Sequence, residues 1–358
     1  MRDMTDPSSL HSPHDGGLLR APSTEDRIAL DQAFGTRFML FVDTEEEFDW
    51  DAPFSRTGHG VTALAGMARG QAFFAQAGVK PCYVTDYPVI DDPAAAAMMA
   101  QWLADGAADI GAHLHPWVNP PHVEEVNAAN SYVGFLPEAV EKAKLEALCA
   151  RFEMAFGMRP TVYRAGRYGV GPNSARLLEE AGFRLDSSVR SHFDYSGQHG
   201  PNFHGLPVEP YWAGPTRALV ELPLSTAFVG RLRGVGGQLF RATEGLGRIA
   251  GGLSRAGLLS RIPLTPEGIG IGATIAAIDA LIEDGARVLN FSFHSPTLEA
   301  GHTPYVRSAD DLEMFYRWWG AVFDHLAKRG IAAASIDEFL AAVPPRTHQM
   351  RQSACQAA

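Results

Sequence analysis

Six short apolar runs in this chain each stop on a polar or ionisable side chain, and that pattern most limits its fold. The run Arg37-Phe-Met-Leu-Phe-Val ends on Asp43, and others end at Asp86, His113, Arg164, Asp186 and His294. Nearly continuous apolar character suits parallel strands covered on both faces. The strands are expected at 37–43, 79–85, 109–115, 161–164, 183–188, 219–224, 287–294 and 331–336. Helix-forming segments alternate with them at 61–77, in the alanines after Pro93, and at 137–156, 172–181 and 309–329. Such alternation predicts an α/β fold with helices outside a parallel sheet. Its rhythm favours a distorted (β/α) barrel of about seven parallel strands, with the chemistry at the C-terminal strand ends. An open doubly wound sheet would give much the same pattern.

Residues 1–34 read as a flexible lead-in, 35–343 as the barrel and 344–358 as a frayed tail. Residues 190–266 break the rhythm with Gly- and Arg-rich sequence and are expected to be an inserted helical segment. Within it Arg241, Arg248 and Arg255 recur at helical spacing, opposite Leu246, Ile249 and Leu253. That is the pattern of an amphipathic surface helix. It is also compatible with a lid, or with a peripheral membrane contact through 231–261. The formal net charge of −11 disfavours nucleic acid as the main partner. The three cysteines, Cys82, Cys149 and Cys355, form no disulfide or zinc-ribbon pattern. No signal-peptide core and no transmembrane segment is visible, so a cytoplasmic location is expected.

The polar strand ends contain residues suited to hydrolysis. Asp43 and Glu45 are two apart, so an extended backbone points both the same way. One could bind a metal while the other takes a proton from water, though a solvated acidic loop would look the same. His113 and His115 share a face of their strand, and two imidazoles with a carboxylate make a three-ligand zinc site open to water. Arg164 can hold a catalytic carboxylate or bind a substrate carboxylate. His294 is a candidate general acid, with a third metal ligand or a buried core histidine as alternatives. Asp86 and Asp186 could line the pocket or serve as caps. Tyr168 could stack on a sugar, and His302 could contact substrate. His11 and His14 are expected to be uninvolved.

Five motifs, in order, resemble the polysaccharide deacetylase (NodB-homology) superfamily and its WalW-type branch. They are Val-Asp43-Thr-Glu45-Glu-Glu-Phe-Asp-Trp50, Ile-Gly-Ala-His113-Leu-His115-Pro-Trp117, Tyr-Arg164-Ala-Gly-Arg-Tyr-Gly169, Asp186-Ser-Ser188 and Phe-His294-Ser-Pro-Thr-Leu. The resemblance implies a metal-dependent hydrolase that removes an acetyl group, N-linked more often than O-linked, from a carbohydrate in surface-polysaccharide metabolism. It implies Asp43 as general base and Glu45, His113 and His115 as ligands of a divalent metal, with zinc the expected ion. Arg164 would orient Asp43, and His294 would protonate the departing amine. Trp50, Asp86, Trp117, Arg167, Tyr168, Asp186 and His302 would bind a carbohydrate, which could be nucleotide- or lipid-linked. Two positions depart from the family pattern. Glu45 stands where an aspartate is usual, and Trp117 stands where many members place the second histidine, so that His115 would have to substitute. An amidase acting on a small non-sugar C–N bond, or a non-catalytic carbohydrate-binding relative, would carry much of the same sequence.

Overall fold

The computed structural model describes residues 17–345, apart from residues 244–246 and the side chains of residues 243–250. Its strands are β1 (Arg37–Thr44), β2 (Cys82–Thr85), β3 (Asp109–Leu114), β4 (Val162–Ala165), β5 (Leu185–Asp186), β6 (Tyr211–Ala213), β7 (Leu219–Glu221), β8 (Thr226–Val229), β9 (Ser260–Pro263), β10 (Val288–His294) and β11 (Ala332–Ala333). Seven of them run parallel in the order β10-β1-β2-β3-β4-β5-β7. Strand β6 adds antiparallel to β7, β11 pairs with the start of β1, and β8 and β9 form a separate ribbon. The sheet curls until its edges meet, and single hydrogen bonds close the gap. Ser225 N donates to Asn290 O, and Ser292 N donates to Leu264 O, each at 3.2 Å. The distorted barrel of about seven parallel strands is therefore the observed architecture.

Alternation along the strands sorts side chains into two layers. Phe38, Leu40 and Val42 of β1 face outward, in one cluster with helix residues such as Phe74, Trp319 and Val322. Met39 and Phe41 face the barrel interior with Cys82, Val84, Val162, Leu185 and Val288. The helices between strands follow local chemistry. Glu138–Phe156 starts with Glu138 and Glu141 in its first turn, favourable at the positive helix end, and stops at Gly157, whose φ of 69° suits glycine. Ala309–Lys328 begins with a reciprocal Ser308–Asp311 capping box.

Several expectations change. The expected lead-in is packed from residue 17 onward: Leu18 joins the outer core, and Ile28, Leu30 and Phe34 plug the barrel floor. Phe34 meets Phe339 edge-on, and Asp31 N donates to Ala342 O at 3.0 Å. Helices Ile271–Glu283 and Ile336–Ala342 are absent from the sequence reading. The segment 190–266 is not wholly an insertion, because β6 and β7 belong to the main sheet. Where an amphipathic helix is expected, the described residues form helices Gly236–Thr243 and Gly247–Arg255. Arg241 and Arg255 are exposed and Leu253 is half-buried. Leu246 and the side chains of Arg248 and Ile249 lie outside the described residues, as do His11, His14, Cys355 and the tail from residue 346. Cys82 and Cys149 are buried free thiols. Among the described residues no helix is long and apolar enough to cross a membrane.

One charged pair lies away from the cleft. Asp186 and Glu221 are register partners on β5 and β7, both fully buried. Their interior-facing neighbours are Leu185, Val220 and Leu222, so both carboxyls point outward by alternation. Burial pushes both above the usual carboxylate range; the Asp186 charge and the hydrogen bond they share raise Glu221 further, while that same bond, Ser188 and then Arg164 hold Asp186 lower. The folded pair holds a proton that the unfolded chain releases above about pH 4. Its contribution is complete at acid pH and is lost as pH rises through the raised values. Glu221→Gln should therefore flatten the alkaline decline in stability, by on the order of 1–3 kcal/mol between pH 5 and pH 9 measured by denaturant titration. Parallel pH profiles of variant and wild type would contradict this assignment.

Candidate active site and metal centre

Alternation also explains why the reactive groups converge. On β1, β3, β4 and β10 the side chains that alternate with the outward-facing apolar ones include Asp43, His113, Arg164 and His294. All four therefore face the interior at the C-terminal strand ends. The register brings Asp43 beside His294 and His113 beside Arg164.

Arg164 is completely buried and organises this layer. Its Nη1 donates to Asp43 Oδ1 at 2.5 Å and to Ser292 Oγ at 3.0 Å. Its Nε donates to Ser187 O at 2.7 Å, and its Nη2 to Ser187 Oγ at 2.9 Å. Burial works against a charged Asp43, but Arg164, then His113 and His294, hold its carboxyl below the usual carboxylate range.

Beside Asp43, three side chains bring electron pairs together. His113 Nδ1 donates to Arg164 O at 3.0 Å, and His115 Nδ1 donates to Glu46 Oε2 at 2.7 Å. With both Nδ1 positions protonated, the two Nε2 atoms are bare, and they face each other at 3.1 Å. Glu45 Oε2 lies 3.6 Å from His113 Nε2 and 3.4 Å from His115 Nε2. Glu45 Oε1 is buried without a hydrogen-bond partner. Burial pulls His115 down to about 4, lowers His113, and pushes Glu45 up to about 7. Three buried acceptors in mutual contact repel one another unless a cation sits between them. Donors about 2.0–2.2 Å from a tetrahedral ion would be ~3.3–3.6 Å apart, close to the observed edges. The residues present thus fit a divalent metal.

Glu46, which the sequence reading did not single out, supports this group. It accepts from His115 Nδ1 and, at 2.8 Å, from Trp117 Nε1. Its backbone N donates to Asp86 Oδ2 at 2.8 Å. Burial pushes Glu46 up to about 7 and Asp86 up as well. Glu46, Asp86 and His115 also lie close enough to hold an ion, but they are already hydrogen-bonded. A carboxylate behind a ligand histidine fixes its tautomer and orientation. Trp117 occupies no ligand position: its ring stacks on His115 at 4.3 Å.

On the other side, Glu267 grips His294. It accepts from His294 Nδ1 at 2.7 Å, from His294 N at 3.0 Å and from Thr297 Oγ1 at 2.7 Å. His294 Nε2 is thereby aimed at Asp43 Oδ2, 4.0 Å away. Burial alone would lower His294, but Glu267, then Glu45 and Asp43, push it up to about 10. Nothing near residue 267 marks it in sequence, because the contact depends on the path of the 190–266 segment.

The groups open into a cleft of about 330 Å³ walled by Trp50, Phe54, Tyr132, Arg167, Tyr168 and Arg190. Of the expected substrate contacts, Trp50, Trp117, Arg167 and Tyr168 line it. Three do not. Asp86 caps helix Tyr87–Asp91 and holds Glu46. Asp186 points out of the barrel toward Glu221. His302 lies against Glu47 at 3.3 Å. Arg190 and Tyr195 were not foreseen, since neither ends an apolar run.

No protein-family model matches the chain, and no curated protein matches it. Among solved structures it is similar to a candidate polysaccharide deacetylase from Mycobacterium smegmatis, at 16% identity and TM-score 0.44 over 92% of this chain and 99% of that one. A 4-alpha-glucanotransferase from Thermococcus litoralis matches at 12% identity and TM-score 0.46, over 87% and 39%. A family 4 carbohydrate esterase from Streptomyces lividans matches at 10% identity and TM-score 0.39, over 87% and 95%.

Gly166 supplies a sharp test of the geometry. A Cβ there would overlap the His115 ring and come 2.7 Å from Leu114 O. Gly166→Ala should therefore displace the His115 ring from its Glu46 contact and weaken binding of an added divalent metal by about 10–100-fold in equilibrium dialysis. Arg164→Met should cost about 3–5 kcal/mol in denaturant unfolding, since it leaves Asp43 buried without its partner. Unchanged metal affinity in the first variant, or unchanged stability in the second, would contradict the respective assignment.

Proposed function

We propose that this protein is a metal-dependent hydrolase that removes an N-linked acetyl group from a carbohydrate. The observation that carries the reading is the convergence of Glu45 with two bare imidazole nitrogens beside an ion-paired aspartate, at the base of an aromatic cleft. Glu45, His113 and His115 would hold the ion, and their two-imidazole, one-carboxylate chemistry suits zinc. Such an ion, when bound, supplies Lewis acidity that activates water and polarises an acyl oxygen.

The remaining steps belong to the side chains. Arg164 occupies Asp43 Oδ1, which leaves Oδ2 to accept a proton from the attacking water. A bond forms between the water oxygen and the acetyl carbon, and the C–N bond breaks. His294 Nε2 gives its proton to the departing nitrogen, while Glu267 keeps the ring aimed. Trp50, edge-on to His294 at 5.2 Å, and Tyr168 offer apolar faces for a sugar ring.

The test combines metal analysis of purified protein with acetate release from N-acetylated oligosaccharides, before and after chelation. One equivalent of tightly bound zinc and chelator-sensitive acetate release are expected. Glu45→Gln and His115→Ala should lose the metal. Asp43→Asn should keep it while kcat falls by about 10²–10⁴-fold. Protein that binds no metal and releases no acetate in a chelator-sensitive way would overturn the reading.

A further inference from the structure

The cleft wall facing the three-ligand cluster carries two arginines that, among the described residues, have no carboxylate partner. Arg167 and Tyr168 follow β4 in consecutive left-handed conformations, with φ of 54° and 60°. Such backbone is unfavourable for an L-residue, and here both side chains line the cleft. Arg167 donates only to neutral groups, Ser131 Oγ and Gln198 Oε1, and lies 4.2 Å over the Tyr132 ring. Arg190 donates to Tyr195 Oη at 2.9 Å and lies 4.1 Å over Phe193. Its Nε is buried without a hydrogen-bond partner.

Among the described residues neither arginine has a carboxylate oxygen within 4.0 Å, whereas Arg164, on the same strand end as Arg167, pairs with Asp43. The acids of the cleft are otherwise engaged. Asp43 is paired with Arg164, Glu45 faces the imidazoles, and Asp49 accepts from Asp51 N. Cation–π contact with neutral rings leaves both guanidinium charges without a counter-charge. A ligand anion would supply one, and guanidinium groups bind carboxylate and phosphate oxygens through two parallel hydrogen bonds.

We infer that the substrate is an anionic carbohydrate, bearing a carboxylate or a phosphate ester that binds Arg167 and Arg190 while its acetyl group lies at the three-ligand cluster. This rests on the deacetylase reading above and narrows its substrate class. The experiment titrates zinc-loaded protein with inorganic phosphate and with glucuronate in a calorimeter at low ionic strength, and repeats both titrations after chelation. At least one anion should bind saturably in both states, so that binding is not to the metal. Affinity should fall at least tenfold in Arg190→Gln and in Arg167→Gln, be partly kept in Arg190→Lys, and be unchanged in the surface control Arg176→Gln. Tighter binding of phosphate assigns a phosphorylated substrate, and tighter binding of glucuronate assigns a uronic acid. Absence of binding by both anions, or equal binding by the Gln variants, overturns the inference. Chelator-sensitive acetate release, measured separately, decides the deacetylase reading whichever way the anion titrations fall.

Discussion

The buried pair between Arg164 and Asp43 is the interaction on which the upper half of the barrel depends. Arg164 crosses the interior from β4 to β1 and touches β10 through Ser292. It also holds the carbonyl and hydroxyl of Ser187, whose hydroxyl in turn receives Asn290 Nδ2 at 3.0 Å. A guanidinium has enough donors in a rigid fork to serve all these acceptors at once, which an ammonium could not. Below it the interior is apolar and packed; above it the interior is polar and opens to the cleft. The carbonyl of the same residue fixes His113, so one side chain and its backbone set both Asp43 and His113.

Around that centre each reactive group is held from behind by a second residue. Arg164 holds Asp43, Glu46 holds His115, and Glu267 holds His294. Each supporting contact comes from a different part of the chain, so the cleft is preorganised by the closed barrel and not by one loop. Such support keeps donors and acceptors in place before substrate arrives.

Much of this was legible in sequence for a simple reason. Strands buried on both faces read as unbroken apolar runs, so a charged residue at their end stands out. Asp43, Glu45, His113, His115, Arg164 and His294 were found that way. The same rule misplaced Asp186, because an end-of-strand position does not reveal which face a residue takes. Only the neighbouring packing of Leu185 and Val220 shows that it points outward. Glu46 sat within a visible acidic cluster, but its role needs the position of Trp117. Glu267 and Arg190 depend on how a long irregular segment returns to the barrel, and local periodicity carries no record of that. The packed residues 28–34 were missed because so short an apolar stretch, following a polar segment rich in Ser, Pro, His and Gly, reads as part of that lead-in.

That plug has a consequence for how the barrel closes. Ile28, Leu30 and Phe34 precede β1, yet their seat includes Ile336 and Phe339, and Asp31 bonds to Ala342. The underside of the barrel therefore stays wet until these two distant segments have come together. Contacts of such long span carry a large loop-closure cost and form late. Until they form, those apolar side chains are unsheltered, a stage at which self-association competes with folding.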